Sequence, residues 1–360
     1  MSGEPVVVAA LRSAIGTAGR SFADVPAADL AAPVLAAVAA AVPQPPQEVL
    51  LGNCTGPGGD LARVAALTAG LPVGVPALTV DRQCASGLAA VVLGARLLAT
   101  EPGLVLAGGV ESASTSPRPG RAAFAPAELG DPDMGPAADA LALRHGITRA
   151  QQDAYAARSH ARAHAAQQAG AFDAEVVPVR GVVRDDRPRP GLTEQRLARL
   201  RPAWGGTGTA GNSCGVNDGA AVVGLVDGDT HARLGVPGLR VLATATAGAD
   251  PALPGASLVP AVATALDRAG LGLADLDVVE LNEAFAGQVL ACCALLDLDP
   301  ARVCPQGGAI ALGHPWGASG AVLVVRLFSQ LVRAGGGRYG LAAVAAGGGQ
   351  GVAVVVEAVR

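Results

Sequence analysis

The sequence predicts an α/β protein made of two similar halves, and three observations predict it. Short Val/Leu runs bounded by glycine alternate with Ala-rich stretches long enough for helices. The runs are continuously apolar, as strands buried on both faces are, and strict apolar/polar alternation, the sign of a half-wet sheet, is absent. A weak internal repeat is also visible. "CASGLAAVVLGARLL…LVLAGG" resembles "WGASGAVLVVRLFSQL…AAVAAGG" further on, each a Ser-Gly opening a helix, followed by a strand ending in Ala-Gly-Gly. Two half-domains packed back to back account for 360 residues, a length too great for one ordinary core.

The elements follow in order. "PVVVAAL" is the first strand, and "DLAAPVLAAVAAAVP" is an apolar stretch that ends at Pro and falls short of the 18–20 or so uninterrupted apolar residues of a membrane span. "EVLLGN", "ALTV" and "LVLAGG" continue the strands of the first half, and "VVELNEAF" and "LAAVAAGGG" belong to the second. Between the halves the composition shifts toward Pro, Arg, Asp and Gln. This more polar insertion carries one clear helix, "TRAQQDAYAARSHARAHAAQQAG", with Thr148 as N-cap and Gly170 as the C-terminal stop. The expected boundaries are 1–113 plus 205–229 for the N-terminal half, 114–204 for the insertion and 230–360 for the C-terminal half.

Half the residues are apolar and only 2% aromatic, so the core is Ala, Val and Leu packed closely around 49 glycines. A net charge of −4 gives no global field to attract nucleic acid or an anionic membrane, so an anionic ligand must meet a local basic patch. Arg180, Arg184, Arg187, Arg189, Arg196, Arg199 and Arg201 form the one locally basic region. It reads either as a solvated face or as a landing site for the phosphates of a nucleotide-bearing ligand. The N-terminus lacks a basic segment followed by an apolar one, so a cytoplasmic location is expected. Six cysteines show no metal-ligand spacing, and a reducing cytosol disfavours disulfides, so the question is which thiol is reactive.

"ALTVDRQCASGLAAV" sets Cys84 after a strand and at the first turn of a helix, where unpaired N–H groups and the helix dipole favour a thiolate; the alternative is a buried, inert cysteine. Cys292 and Cys293 lie inside the helical run "AFAGQVLACCALL" and read as core. His314 stands in a Gly-His-Pro turn before a helix, placed to take a proton from a nearby thiol or to serve as a satisfied structural histidine. Asn282 and Glu283 fall at the carboxyl end of a strand, where open α/β sheets keep their ligand crevice; they read as site groups or as helix caps. "GTGTAG" matches a dinucleotide fingerprint but does not follow a strand, and His160 with His164 lacks a third ligand, so neither a nicotinamide nor a metal site is expected. Cys54, in "GNC", is left without a role.

Taken together, the stretches "VVVAALRSAIGTAGRSF", "DRQCASGL", "LAGGVESAS", "RPAWGGTGTAGNSCGVNDGAA", "NEAFA", "GGAIALGHPWGASGA" and "GGGQG" resemble the thiolase family over almost the whole chain. The resemblance implies a five-layered α/β/α/β/α body, a coenzyme A-binding loop domain as the insertion, and a dimer or tetramer. It implies no permanently bound cofactor, with coenzyme A and acyl-CoA as substrates. Cys84 matches the family's acyl-accepting nucleophile, His314 the histidine that activates it, and Asn282 the asparagine that holds a water polarising the thioester carbonyl. The N–H groups of Cys84 and Gly347 match an oxyanion hole. Met134, Trp204, Ala210, Cys214, Ala284 and Phe285 match the pantetheine channel, and the arginine-rich loop, Arg201 included, matches the contact for the phosphates.

The departures from the family pattern are as informative. The family's last strand reads Leu-Cys-x-Gly-Gly-Gly, and that cysteine moves the α-proton in carbon–carbon bond formation or cleavage; Ala345 stands there, and no cysteine follows Cys304. Losing a positioned base removes about 10²–10⁴-fold in rate. Cys214 replaces a usual Ser, Asp133 a frequent His and Gln306 a usual Asn, and the region before Met134 is shortened. Three functions follow: an acyltransferase that forms acyl-Cys84 and passes the group on without ordinary α-proton transfer, an ordinary thiolase using another base or carrying an introduced Ala345, and a non-catalytic acyl-CoA-binding subunit.

Overall fold

The structure is a computed structural model that describes residues 4–117 and 121–359. In chain order the first half contributes β1 (Val6–Ser13), β2 (Gly16–Thr17), α1 (Ala27–Ala41), β3 (Glu48–Gly52), α2 (Leu61–Thr68), β4 (Ala77–Val80), α3 (Ser86–Leu97) and β5 (Leu104–Ser112). Then come α4 (Met134–Arg144), α5 (Arg149–Gln168), β6 (Val176–Val177), α6 (Glu194–Leu197), β7 (Asn217–Val226) and α7 (Gly228–Leu234). The remainder is β8 (Gly238–Gly248), α8 (Leu258–Ala269), β9 (Val278–Leu281), α9 (Ala286–Leu296), α10 (Ala309–Leu312), α11 (Trp316–Leu327), β10 (Tyr339–Ala346) and β11 (Gln350–Val359).

The main strands run in the order β4-β3-β5-β7-β1-β8-β11-β10-β9. Each half has parallel strands at its outer edge, β4/β3/β5 in one and β10/β9 in the other, and antiparallel strands toward the middle. The halves meet where β1 and β8 pair over a short rung, Val6 with Arg240 and Val7 with Leu239. Helices α1 and α2 cover the outside of the first half, α8 and α9 the outside of the second, and α3 and α11 lie against each other between the two half-sheets. The hydrophobic clusters follow those layers, one outside each half and one around α3 and α11. This is the five-layered α/β/α/β/α arrangement.

The aromatic-poor composition is put to use in the middle layer. A Cβ on Gly87 of α3 would lie 2.6 Å from Gly317 O of α11, and one on Gly320 of α11 would lie 2.5 Å from Leu88 N. Helices this close leave no room for larger side chains at the crossing. One sequence expectation fails here. β8 alternates buried and partly exposed residues, because its side chains lean on α8 on one face only, and β4, at the sheet edge, is partly exposed. Alternation is therefore present in β8.

Thr148 does cap α5: its N–H donates to Gln151 Oε1 at 2.8 Å, and its hydroxyl accepts from Gln151 N at 3.3 Å. Gly170 stops the helix with φ +72°. α5 packs on α9 and α10, which binds the inserted segment to the second half. A buried charge cluster ties it to both halves. Arg12 of β1 donates to Glu175 and Asp185 at 2.7 Å each, and Arg326 of α11 pairs with the other oxygen of Glu175. The Phe172 ring lies beneath both guanidinium groups.

Candidate active site

Cys84 sits on an elbow between β4 and α3. Gln83 takes φ +48°, left-handed backbone that a non-glycine residue adopts only when its surroundings hold it there. Three bonds hold it. Asp81 Oδ1 accepts from Gln83 N at 2.7 Å, Ser86 Oγ accepts from Arg82 N at 2.7 Å, and the same hydroxyl donates to Gln83 O at 2.6 Å. The elbow exposes Cys84 to a cavity of about 810 Å³. The expected thiolate is not what this position favours: burial pushes the Cys84 thiol up to about 12, with the carboxylates of Glu111 and Asp81 adding to it. Desolvation outweighs the helix dipole, so Cys84 rests as a thiol, and as a nucleophile it would need a base.

The candidate base, His314, is held by the second half. Gly313 has φ +120°, and a Cβ there would lie 2.6 Å from Ile15 and 2.8 Å from Asn217 Nδ2, so only glycine lets the chain turn into His314. His314 N donates to Asn217 Oδ1 at 2.9 Å, and Nδ1 lies 2.6 Å from Ser319 Oγ on the first turns of α11. Asn282, just past β9, places Nδ2 3.3 Å from His314 Nε2. An amide N–H facing Nε2 requires a lone pair there, so the proton of a neutral ring is on Nδ1, donating to Ser319. Burial pushes His314 down to about 3, which keeps the ring neutral and able to accept a proton. Neither Asn282 nor Glu283 caps a helix: Glu283 accepts from Tyr155 and Ser159 hydroxyls at 2.8 and 2.7 Å and from Ile310 N at 3.2 Å, anchoring α5 to α10.

Cys84, Gly347, Met134, Trp204, Cys214 and Phe285 line the cavity together, and His314 and Asn282 lie buried at 1% and 2% exposure. Trp204 and Phe285 meet edge to face at 5.4 Å. Ala284 enters through its backbone, its carbonyl accepting from Cys214 N at 2.9 Å. Ala210 and Arg201 are exposed and do not line the cavity. Arg187, from the arginine-rich segment, donates to Ile310 O at 3.2 Å, and its charge opposes the burial that pushes Cys214 up to about 12. The closing glycines form the β10–β11 turn. Gly348 and Gly349 have φ +76° and +72°, and a Cβ on Gly347 would lie 2.5 Å from the Phe124 ring. Phe124, held under Arg121 at 4.5 Å, is a cavity residue that sequence reasoning missed, since a lone aromatic in a polar loop carries no pattern. Ser86 and Ser319 were missed as braces, although the repeated Ser-Gly marked their positions.

The remaining motifs resolve simply. The amides of Gly206, Thr207 and Gly208 in "GTGTAG" wrap the Asp139 carboxylate. His160 Nδ1 accepts from Arg189 N at 3.3 Å. Cys292 and Cys293 are core. Cys54 lines the same cavity as Cys84 and donates to Gln83 O at 2.9 Å. Ala345 is 9% exposed and pairs with Gly351 across the hairpin, its methyl among the apolar residues outside the second half-sheet.

Comparison with known proteins places this architecture. The thiolase N-terminal domain matches residues 5–229 and the thiolase C-terminal domain residues 236–358. A putative acetyl-CoA C-acetyltransferase of Bacillus subtilis is 41% identical over 98% of each chain, and the β-ketoadipyl-CoA thiolase of Pseudomonas aeruginosa is 42% identical over 100% of each. The first alignment spans 360 positions and the second 402. The acetyl-CoA acetyltransferase of Bacillus anthracis superposes with a TM-score of 0.92 at 37% identity over 99% of each chain. With both family domains matched end to end and the fold shared, the chain belongs to the thiolase family and is an acyltransferase of the thiolase type.

Proposed function

We propose that the protein takes an acyl group from an acyl-CoA onto Cys84 and passes it to an acceptor without α-proton transfer by a second cysteine. This reading is supported by Cys84 on its elbow in the large cavity, by a buried neutral His314 facing Asn282, and by a bare methyl at Ala345. As the thioester enters, Nε2 of His314 takes the Cys84 proton while the sulfur attacks the carbonyl carbon. The same imidazolium then protonates the departing coenzyme A sulfur. With the thiol near 12 and the imidazole near 3, a resting ion pair does not form, so proton transfer accompanies attack. The N–H groups of Cys84 and Gly347 are the oxyanion donors in this reading, and Met134, Trp204, Cys214, Ala284, Phe285 and Ala210 flank the pantetheine arm. Arg184, Arg189, Arg199 and Arg201 are exposed and make no side-chain ion pair among the described residues, which suits phosphate contacts.

Incubation with acetyl-CoA followed by intact-protein mass measurement tests the reading. The expected result is one acetyl adduct that Cys84→Ala abolishes; no adduct on the native protein, or an adduct that survives the substitution, overturns it. A second reading, ordinary Claisen chemistry with another base, is supported by the thiols of Cys54 and Cys214 in the same cavity. Acetoacetyl-CoA cleavage separates the two. The first reading expects Ala345→Cys to raise it by about 10²-fold or more; substantial cleavage without the substitution favours the second.

We also propose a homodimer joined through the free edge of β4. Leu78 on that strand and Val73, Val64 and Leu67 nearby are 47%, 81%, 52% and 42% exposed, an apolar patch beside an unpaired strand edge. Sedimentation is expected to give a dimer for the native chain and a monomer for Leu78→Glu, and a monomeric native chain overturns it.

A further inference from the structure

Beside Asn282 lies a second cavity of about 10 Å³, room for one water molecule. Three residues of its lining each carry a buried polar atom that makes no hydrogen bond among the described residues: Glu280 Oε2, Asn282 Oδ1 and Arg326 Nε. The three residues are 1%, 2% and 1% exposed. Each has its other valences filled. Glu280 Oε1 accepts from Gln330 Nε2 at 2.7 Å, Asn282 Nδ2 faces His314, and the terminal nitrogens of Arg326 go to Glu175 and to Gln306. Ser319, which braces the histidine ring, also borders the cavity.

A buried polar atom without a partner loses about 1–3 kcal/mol, and three around one void form a pattern that chance packing does not produce. The valences match a single water. It accepts from Arg326 Nε, and its two hydrogens go to Glu280 Oε2 and Asn282 Oδ1. We propose that this cavity is a built site for one structural water, through which Glu280 acts as a positioning residue for Asn282. With Oδ1 committed to the water, the amide cannot rotate, and Nδ2 stays directed at His314 Nε2 and the reacting carbonyl. The arrangement also uses Gln306: by taking one terminal nitrogen of Arg326, its amide oxygen leaves Nε turned to the cavity. Burial pushes Glu280 up to about 7, opposed by the Arg326 charge, while Glu283 raises it and the Cys304 thiol lies beside it. The site tolerates both states of the carboxyl. A protonated Glu280 donates to the water, which keeps one hydrogen for Asn282.

The kinetic consequence rests on the acyl-Cys84 reading; the water site does not. The experiment therefore has two arms. In a high-resolution crystal structure of the native protein, one water is expected within hydrogen-bond distance of all three atoms; an apolar void or a water that misses Asn282 Oδ1 overturns the proposal. In single-turnover acylation by acetyl-CoA, Glu280→Gln keeps the water and stays within about threefold of native, whereas Glu280→Leu loses it and slows acylation at least about tenfold with acetyl-CoA affinity unchanged. Alkylation of Cys84 by iodoacetamide, which needs no Asn282, stays at the native rate in both. A folded Glu280→Leu acylating at the native rate overturns the positioning role, as does loss of the water in Glu280→Gln with acylation unimpaired. If Glu280→Leu does not fold, the crystal arm and Glu280→Gln still decide. If the native protein takes no acyl group at all, the acyl-transfer reading falls and the crystal arm alone judges the water site.

Discussion

The two copies of the strand–turn–helix unit use the same serine differently. In the first half, Ser86 on the opening turn of α3 braces backbone, bonding Arg82 N and Gln83 O, and so holds the elbow that presents Cys84. In the second, Ser319 near the start of α11 braces a side chain, the imidazole of His314. The strands that follow differ as well. The last residue but one of β5 is Glu111, fully buried and accepting from Asn53 Nδ2, Cys54 N, Thr55 N and Gly317 N, which ties the Asn53–Thr55 loop to the start of α11. β10 ends in Ala345 and Ala346, followed by Gly347, with no polar side chain. One scaffold used twice thus divides the work: the first copy fixes where the Cys84 thiol stands, and the second fixes the His314 ring.

The strongest test of that comparison is the crossing the copies share. Gly87→Val and Gly320→Val each drive a side chain into backbone of the opposite helix, and each is expected to destabilise the fold by about 3 kcal/mol or more in chemical denaturation. A loss under about 1 kcal/mol for either breaks the claim that glycine sets this packing. Ser319→Ala comes next. It frees the His314 ring and is expected to slow Cys84 acylation about 10–100-fold with little change in melting temperature. A rate within about twofold of native shows that the second serine has no share in the chemistry.

Ser86→Ala removes an acceptor from Arg82 N and a donor to Gln83 O. The expected effect is a loss of about 1–2 kcal/mol in stability and a smaller effect on rate than that of Ser319→Ala, because Asp81 still holds the elbow. Should its kinetic effect exceed that of Ser319→Ala, the division between backbone brace and ring brace is wrong. The smallest effect is on pH dependence. His314 stays neutral in the fold down to about 3, while the unfolded ring takes a proton near 6.5, so stability present at neutral pH falls as pH drops below 6.5. Between pH 7 and 5.5 this contributes about 1 kcal/mol, and His314→Gln is expected to flatten the melting-temperature profile in that window. An unchanged slope indicates that His314 is not buried as a neutral ring.

Much of this was legible before any coordinates. Apolar run lengths separate strands from helices, the repeated Ser-Gly marks the two units, and a cysteine and a histidine each followed by such a helix stand out, because local backbone rules depend on neighbours in the chain. The strands β7 and β8 were not picked out, since "NDGAAVVGLV" is broken by glycine and "GLRVLATATAG" alternates buried and partly exposed residues. The ionisation of Cys84 was read the wrong way, because a helix N-terminus shows in sequence and desolvation does not. By itself the sequence determined the α/β class, the doubled unit, the candidates for nucleophile and base, and the absence of a thiol at Ala345. Only the tertiary structure decided that Cys84 rests as a thiol, that Phe124 packs on Gly347, and that Glu280, Asn282 and Arg326 converge on one void. The reason is the same for all three: each depends on solvent exclusion and on contacts between residues distant in the chain, and neither is written in any local stretch.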